Sequence, residues 1–232
     1  MDTALRAMVD LRDRTLQKTR IAFGLRLDAV SRGADQMEQD DLSMMQRWFD
    51  KFQELENECE DQIKDIAKDD AIIDAMINVK GIGLMLAAKV VSMIDIERAS
   101  SVSALWRYSG YAVIDGEREK PTKGEKLHYN ARLKSSCYLV GGSFLKCNSP
   151  YRAIYDSAKE FYQANKPEWT KAHIHNASMR KMIKMWLSHL WLVWRELRGL
   201  PTNMPYVNEK LNHTHYYSPK EFGWHSEAIT SK

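Results

Sequence analysis

The sequence contains little cysteine, glycine or proline and has no long apolar run. Its 232 residues include 3 cysteines, 11 glycines and 6 prolines. Three scattered cysteines cannot build a disulfide scaffold, so we expect the reducing environment of the cytoplasm. The low content of glycine and proline disfavours a turn-rich all-β fold. Neither an apolar run of about 18 residues nor a signal-peptide core is present, so we expect no membrane-spanning helix and no membrane partner.

Charge is distributed unevenly along the chain. Residues 1–70 contain 11 Lys or Arg and 17 Asp or Glu, whereas residues 71–232 contain 23 and 14. The two parts therefore carry net charges of −6 and +9, although the whole chain carries only +3. A basic segment of this size is typical of a surface that binds a polyanion such as a nucleic acid. Chance unevenness of solvated surface charge is the simpler alternative.

Apolar residues recur at helical spacing through the first part of the chain. Their pattern predicts one long helix over residues 2–32 and a second over residues 42–68. Two long helices joined by a linker of about ten residues should pack antiparallel, with their apolar stripes together. The same helices of a second copy could complete this pair and form a homodimer. Packing against the C-terminal part of the same chain is equally compatible with the sequence.

The remaining chain predicts a domain of shorter helices over residues 71–200, followed by an irregular tail over residues 201–232. The expected helices cover residues 71–78, 84–94 and about 128–146, 150–165 and 168–198. A further short helix is expected to be capped by Ser100 or Ser101, to run through Tyr108 and to end at Gly110. The predicted fold class is therefore all-α.

The segment VKGIGLMLAAKV, residues 79–90, is the most informative part of the sequence. Two glycines one residue apart, Gly81 and Gly83, permit a tight turn and let a phosphate approach the backbone. A helix that begins at Gly83 presents unpaired amide N–H groups and the positive end of its dipole, which together bind anions. Lys80 and Lys89 add positive charge nearby. An ordinary turn between two helices is the alternative interpretation.

This pattern resembles the helix-hairpin-helix family. The resemblance implies that the turn binds the sugar-phosphate backbone of DNA without reading bases. The residues assigned to this contact are Lys80, Gly81, Ile82, Gly83, Leu84 and Lys89. The segment is not a dinucleotide-binding fingerprint, because no strand precedes it and the third glycine is missing.

A second basic segment follows Tyr111. Its positive residues are interleaved with Tyr108, Tyr111, Tyr129 and Tyr138, and such a combination can neutralise phosphates and stack on unpaired bases. We expect this surface to extend the DNA contact of the turn, although a solvated loop with buried tyrosines would give the same pattern. The residues assigned to this contact are Arg118, Lys120, Lys123, Lys126, Arg132 and Lys134.

The order of these elements resembles the C-terminal part of the IS110-type transposases. The shared features are an Arg-rich helix before the turn, the segment LWRYSGY at residues 105–111, the glycine and basic residues at 123–134, and PYRAIY at residues 150–155. The resemblance implies a DNA-binding protein of a mobile element or phage, acting in a prokaryotic cell or an infected host. It also implies duplex or branched DNA as the ligand, with structured RNA as an alternative.

Two departures from that family bear on catalysis. We find no segment that could supply its RuvC-like, metal-binding domain, and the loop serine that it uses as a nucleophile is missing between Tyr111 and Tyr129. Thr122 is the only hydroxyl residue there, and without an activating base it is a weak nucleophile. We therefore predict no catalytic residue and no cofactor in this chain alone. A recombinase subunit completed by a partner chain, and a protein-interaction module, remain the other interpretations.

The histidines do not form a metal-site pattern. His173 and His175 are two residues apart on a predicted helix and point to different faces, while His213, His215 and His225 lie in the tail. Zinc needs three or four ligands that converge, so we predict no metal site. We expect His189 to be a hydrogen-bonded histidine of the core. We also expect core positions, rather than a base-stacking surface, for Trp186, Trp191 and Trp194.

Overall fold

The structure is a computed structural model that describes residues 3–113, 123–124, 126–202 and 217–225. These residues form helices and no strand, which confirms the predicted all-α fold class. The chain divides into two compact units, Asp2–Asp69 and Asp70–Lys232. Within the described ranges, no helix has both the length and the apolar character needed to cross a membrane.

The first unit consists of two long helical arms. One arm contains α1 (Thr3–Leu11), a π-helical turn (Arg12–Leu16) and α2 (Gln17–Ser31), and the other is α3 (Gln39–Ala67). The Cys59 thiol donates to the carbonyl of Met8 at 3.4 Å, and the rings of Phe23 and Phe52 lie 5.7 Å apart. The start of the first arm thus lies beside the end of the second, and the two arms run antiparallel.

Charged side chains lie inside the apolar contact between these arms. Glu56 is only 2% exposed, and its carboxylate accepts hydrogen bonds from Arg20 Nε at 2.6 Å and Gln17 Nε2 at 3.0 Å. One turn further along α3, Glu60 accepts from Arg12 Nε at 2.7 Å. Buried carboxylates require such partners, so the polar contacts fix how the two arms are aligned.

The second unit is built around its longest helix. Its helices are α4 (Ala71–Ile77), α5 (Leu84–Val91), α6 (Val102–Tyr108), α7 (Ala131–Lys146), α8 (Arg152–Asn165) and α9 (Lys171–Leu197). Helices α4, α6, α7 and α8 all pack on α9. Trp186, Trp191 and Trp194 of α9 are 0%, 1% and 3% exposed, which confirms their assignment to the core.

Side-chain caps explain where several of these helices begin. Asp70 accepts from the amide of Ile72, Ser101 from that of Ala104, and Asn130 from those of Arg132 and Leu133. Each cap satisfies an amide that the first turn of a helix leaves unpaired. The Asn130 cap places the start of α7 three residues later than the predicted residue 128.

Part of the segment expected to be irregular packs against the core. A 3₁₀ turn over Pro219–Phe222 is followed by Trp224, and the side chains of Phe222 and Trp224 are buried. Trp224 Nε1 donates to the Tyr151 hydroxyl at 2.7 Å, and that hydroxyl lies 2.5 Å from His189 Nδ1. His189 Nε2 in turn donates to the carbonyl of Tyr217 at 3.0 Å. These bonds confirm His189 as a hydrogen-bonded core histidine.

We expect acid to destabilise the second unit through His189. Burial lowers the pKa of His189 to about 4, whereas an unfolded histidine has a pKa of about 6.5. Between these values the unfolded chain binds the proton and the folded chain does not, so the free energy of unfolding falls as the pH falls. The expected loss at pH 5 relative to pH 7 is about 2 kcal/mol.

Urea unfolding followed by tryptophan fluorescence measures this loss. His189→Gln removes the titrating group. Between pH 7 and pH 5 its free energy of unfolding should therefore fall by about 2 kcal/mol less than that of the parent. Parallel pH profiles for the two proteins would contradict the prediction.

Candidate nucleic-acid interface

The turn between α4 and α5 is held by two buried side chains and presents two exposed residues. Val79 and Ile82 are 0% and 5% exposed, and the Ile82 amide donates to the Val79 carbonyl at 3.0 Å. Lys80, which lies between these two residues, and Gly83, which follows Ile82, are exposed. The alternation follows from the turn, which directs apolar residues into the core and their neighbours outward.

Gly81 supports the turn from inside. Its φ of +105° is one that residues with a side chain rarely adopt, and an added Cβ would lie 2.7 Å from Cys147 Sγ. The Gly81 carbonyl accepts from Ser143 Oγ at 2.6 Å, and the carbonyl of Lys80 accepts from the Cys147 thiol at 3.6 Å. Gly81 is therefore needed for packing against the end of α7, rather than for access of a ligand.

Gly83 forms the open side of the turn. It is the N-cap of α5 in an extended conformation, and a Cβ there would meet no atom within 4 Å. Its carbonyl accepts from the amides of Leu86 and Ala87. Among the described residues, nothing accepts a hydrogen bond from the amides of Gly83, Leu84 or Met85. Gly83 itself is exposed, and unpaired amides at the start of a helix are groups that can bind an anion.

Helices α5, α6, α7 and α9 carry almost no negative charge, whereas α4, which leads into the turn, contains Asp74. Helices α5, α6 and α7 contain no Asp or Glu, and α9 contains only Glu196. The same four helices contribute many positive side chains: Lys89, Arg107, Arg132, Lys134, Lys146, Lys171, Arg180, Lys181, Lys184 and Arg195. The excess of positive charge in this part of the chain is therefore concentrated in these four helices, of which α5 and α7 adjoin the turn.

The second predicted segment is described only in part. Arg118, Lys120 and the alternative nucleophile Thr122 lie outside the described residues, whereas Lys123 and Lys126 are exposed. Lys134 Nζ lies 4.2 Å from the centre of the Tyr129 ring. These positions leave Lys123, Lys126 and Lys134 as candidate phosphate contacts.

The tyrosines of that segment divide between surface and core. Tyr108 and Tyr138 are 42% and 46% exposed, whereas Tyr111 is buried and its hydroxyl donates to the Lys134 carbonyl at 3.1 Å. Tyr111 therefore belongs to the core and cannot stack on a base. The expectation of an aromatic surface is wrong for this residue, because its hydroxyl finds a partner inside the unit.

The structure places the two predicted contacts at opposite ends of α7. The turn packs on Ser143 and Cys147 near the C-terminal end, while Arg132 and Lys134 lie near its start. Along an α-helix, Lys134 and Cys147 are about 20 Å apart. One continuous surface through both would therefore span several nucleotides.

Sequence reasoning missed positive residues on α9. Lys184 Nζ lies 3.9 Å from the centre of the Trp106 indole ring, a cation–π contact, and Trp106 Nε1 donates to the Lys184 carbonyl at 3.1 Å. Burial, together with the charge of Arg180, lowers the pKa of Lys184. Arg180 and Lys184 are four residues apart and share one face of the helix. The near absence of acidic residues from α9 is the signal that could have identified them.

The histidines are engaged by different neighbours. His173 stacks on Trp169 with ring centres 4.0 Å apart, while His175 Nδ1 lies 2.8 Å from the Tyr155 hydroxyl. Within the described residues, no group of three potential metal ligands is found. His213 and His215 lie outside those residues.

Comparison with known protein families finds no match, and no curated protein sequence matches the chain. The helical fold and the geometry of the turn are therefore the observations on which a function can be based.

Proposed function

We propose that this protein binds the sugar-phosphate backbone of duplex or branched DNA through the turn of residues 80–84. We further propose that it is a mobile-element or phage protein related to the C-terminal part of the IS110-type transposases, which does not catalyse strand transfer by itself. One observation carries the proposal: Gly83 is exposed, a Cβ there would meet no atom within 4 Å, and the amides of Gly83, Leu84 and Met85 have no acceptor among the described residues.

The electrostatics of the second unit support the same ligand. A phosphate that approaches Gly83 meets the positive end of α5 and the exposed Lys80. Helices α5, α6, α7 and α9 contribute nine positive residues that are not buried, the buried Arg195 and one negative residue, and α4 adds Asp74. Such a surface binds DNA with an affinity that falls steeply with salt concentration. Because the contacts are made by amides and lysines, we expect little dependence on base sequence.

The separation of the two contacts predicts the size of the binding site. About 20 Å along α7 corresponds to roughly six nucleotides of a duplex strand. Lys123, Lys126 and Lys134 would then bind phosphates several positions away from the phosphate at Gly83.

Gly83→Asp tests this proposal because stability and binding should respond in opposite directions. Aspartate is a preferred N-cap, so it should accept the exposed amides and maintain or raise the free energy of unfolding. The same carboxylate places negative charge where the phosphate is expected. We therefore expect DNA affinity to fall tenfold or more, measured by fluorescence anisotropy on duplex, four-way-junction and single-stranded DNA and on duplex RNA.

Gly83→Asn is the matched control, because asparagine caps the helix without a charge. It should weaken binding less than Gly83→Asp does. If the Gly83→Asp protein binds DNA within twofold of the parent, the turn is not the contact. If the parent and the Gly83→Asp protein both bind RNA in preference to every DNA, the proposed class of ligand is wrong. A variant of Gly81 is unsuitable for this purpose, since its strained φ and its contact with Cys147 would disturb the fold.

A further inference from the structure

A surface groove adjoins the exposed lysine of the turn. It has a volume of about 410 Å³ and is lined by Lys80 and by residues from the connection between α7 and α8. From that connection come Asn148, Ser149 and, at the start of α8, Arg152. None of these three residues was assigned a role from the sequence.

The connection is built so that Ser149 lies under the groove. Asn148 adopts a φ of +53°, which reverses the chain at the end of α7. The Ser149 amide donates to the Phe144 carbonyl at 3.0 Å, and the Ser149 carbonyl accepts from the Arg152 amide at 2.9 Å. The backbone of Ser149 is therefore fully used and fixed in place.

The side chain of Ser149, in contrast, is buried without a partner. The residue is 3% exposed, and its hydroxyl forms no hydrogen bond with any described residue. A buried hydroxyl without a partner is uncommon in folded proteins and calls for an explanation. Trp186 Nε1 and Trp194 Nε1 of the core are in the same state, but neither residue lines the groove. Because Ser149 lines the groove, a ligand in the groove is the natural source of a partner for its hydroxyl.

The charges around the groove favour an anion. Arg152 Nε lies 3.3 Å from Asp156 Oδ2, and Arg152 Nη1 donates to the Leu145 carbonyl at 3.3 Å, so the guanidinium is oriented. Together with Lys80, these groups give a net charge of +1 across the groove. The groove also faces the start of α8, which has 14 residues and a positive N-terminal end.

The first amides of α8 are not available to a ligand. Those of Arg152, Ala153 and Ile154 already donate to the carbonyls of Ser149, Pro150 and Tyr151. Side chains must therefore make the direct contacts, and the candidates are Lys80, Ser149 and Arg152.

We infer that this groove binds a second backbone phosphate of the DNA held at Gly83, through Lys80, Arg152 and the hydroxyl of Ser149. The inference rests on the proposed DNA binding. Arg152 suits this role because a guanidinium can donate two parallel hydrogen bonds to phosphate oxygens. Lys80 then lies between two phosphates, one at the Gly83 amides and one in the groove, which defines the direction of the strand.

The test compares the salt dependence of duplex binding for Arg152→Gln and Lys159→Gln, each measured in the full chain. Both variants remove one positive charge from α8, but Lys159 lies outside the groove. We expect Arg152→Gln to weaken binding about fivefold and to reduce the slope of log K against log salt by about 0.9, the value for one lost phosphate contact. Lys159→Gln should leave that slope unchanged. Equal slopes in the two variants would overturn the inference.

Ser149→Ala provides a second test, in which stability and DNA affinity are both measured. The hydroxyl has no partner among the described residues, so its removal by itself gives no reason for a loss of stability. If it serves the ligand, removal of an unpartnered buried hydroxyl should leave the protein equally stable or more stable, while DNA affinity falls. Reduced stability with unchanged DNA affinity would contradict the inference.

The outcome for Gly83→Asp separates this inference from the proposed function. Loss of binding in Gly83→Asp with normal binding in Arg152→Gln would leave the turn as the contact and exclude the groove. Normal DNA binding in both variants would exclude both the turn and the groove as DNA contacts. Inorganic phosphate is the last probe. The inference is wrong if phosphate raises the unfolding temperature of the parent but not of Arg152→Gln, while the two proteins bind DNA equally well. In that case the groove binds free phosphate.

Discussion

Replacing Glu56 with alanine is expected to lower the free energy of unfolding of the first unit by about 3 kcal/mol. Glu56 is nearly inaccessible, and its carboxylate accepts hydrogen bonds from Arg20 and Gln17 while lying 3.4 Å from Arg12. The alanine variant leaves these donors in the same apolar contact without their shared acceptor. Removal of one partner from a buried charged cluster costs much more than loss of an exposed ion pair.

Hydrogen exchange followed by mass spectrometry measures this effect, because peptides from residues 39–67 report on α3 alone. Glu58→Ala is the matched control, since Glu58 lies on the same helix but is exposed. Glu58→Ala should change the hydrogen-exchange protection of α3 by only a small fraction of the change that Glu56→Ala causes. Similar protection in the two variants would show that the buried cluster does not stabilise the arms.

Gly141→Leu should lower the free energy of unfolding of the second unit by about 3 kcal/mol, the upper part of the range for overpacked cores. Gly141 is the point where α7 approaches α9 most closely among its glycines. A Cβ there would lie 2.8 Å from Met179 Cε and 3.0 Å from two carbons of Ile183. Ile183 is fully buried and packed on other sides, so it cannot move away without displacing its neighbours.

The adjacent residue provides an internal control for that substitution. A Cβ at Gly142 would meet no atom within 4 Å, and leucine has a far higher helix propensity than glycine. Gly142→Leu should therefore maintain or raise the stability of the unit, as measured by urea unfolding with tryptophan fluorescence. If the two leucine variants are equally stable, close packing at Gly141 is not what joins α7 to α9.

The helices themselves are largely predictable from this sequence, for reasons that particular residues show. Apolar spacing identified the helical segments, and the capping residues Asp70, Ser101 and Asn130 stand where their helices begin. Periodicity and caps are local properties, so they can be recognised without knowledge of the fold.

Features that depend on contacts between distant residues could not be predicted in the same way. Glu56 resembles every other acidic residue of α3 until Arg20 and Gln17 are placed beside it. Tyr111 belongs to an aromatic and basic segment, yet the position of the Lys134 carbonyl draws its hydroxyl into the core. In both cases a partner many residues away decides whether a polar side chain faces solvent.

The candidate site shows the same limit. Both glycines of the turn could be recognised, but the sequence treats them as equivalent. The structure separates them, because Cys147 lies against Gly81 and nothing lies against Gly83. The groove beside Lys80 had no sequence signal, since it depends on the positive φ of Asn148 and on the position of Arg152.

The π-helical turn over Arg12–Leu16 has a consequence for insertions and deletions in the first arm. A turn of this kind accommodates one residue more than an α-helical turn does. Deleting a single residue there would convert it into an ordinary α-helical turn and keep the faces on both sides in register, whereas the same deletion within α2 would rotate everything before it by about 100° about the helix axis. Leu5 and Val9, which are now 1% and 3% exposed, would then leave the face that packs on α3. The π-helical turn is thus the place in the first arm where the loss of one residue should preserve the apolar face.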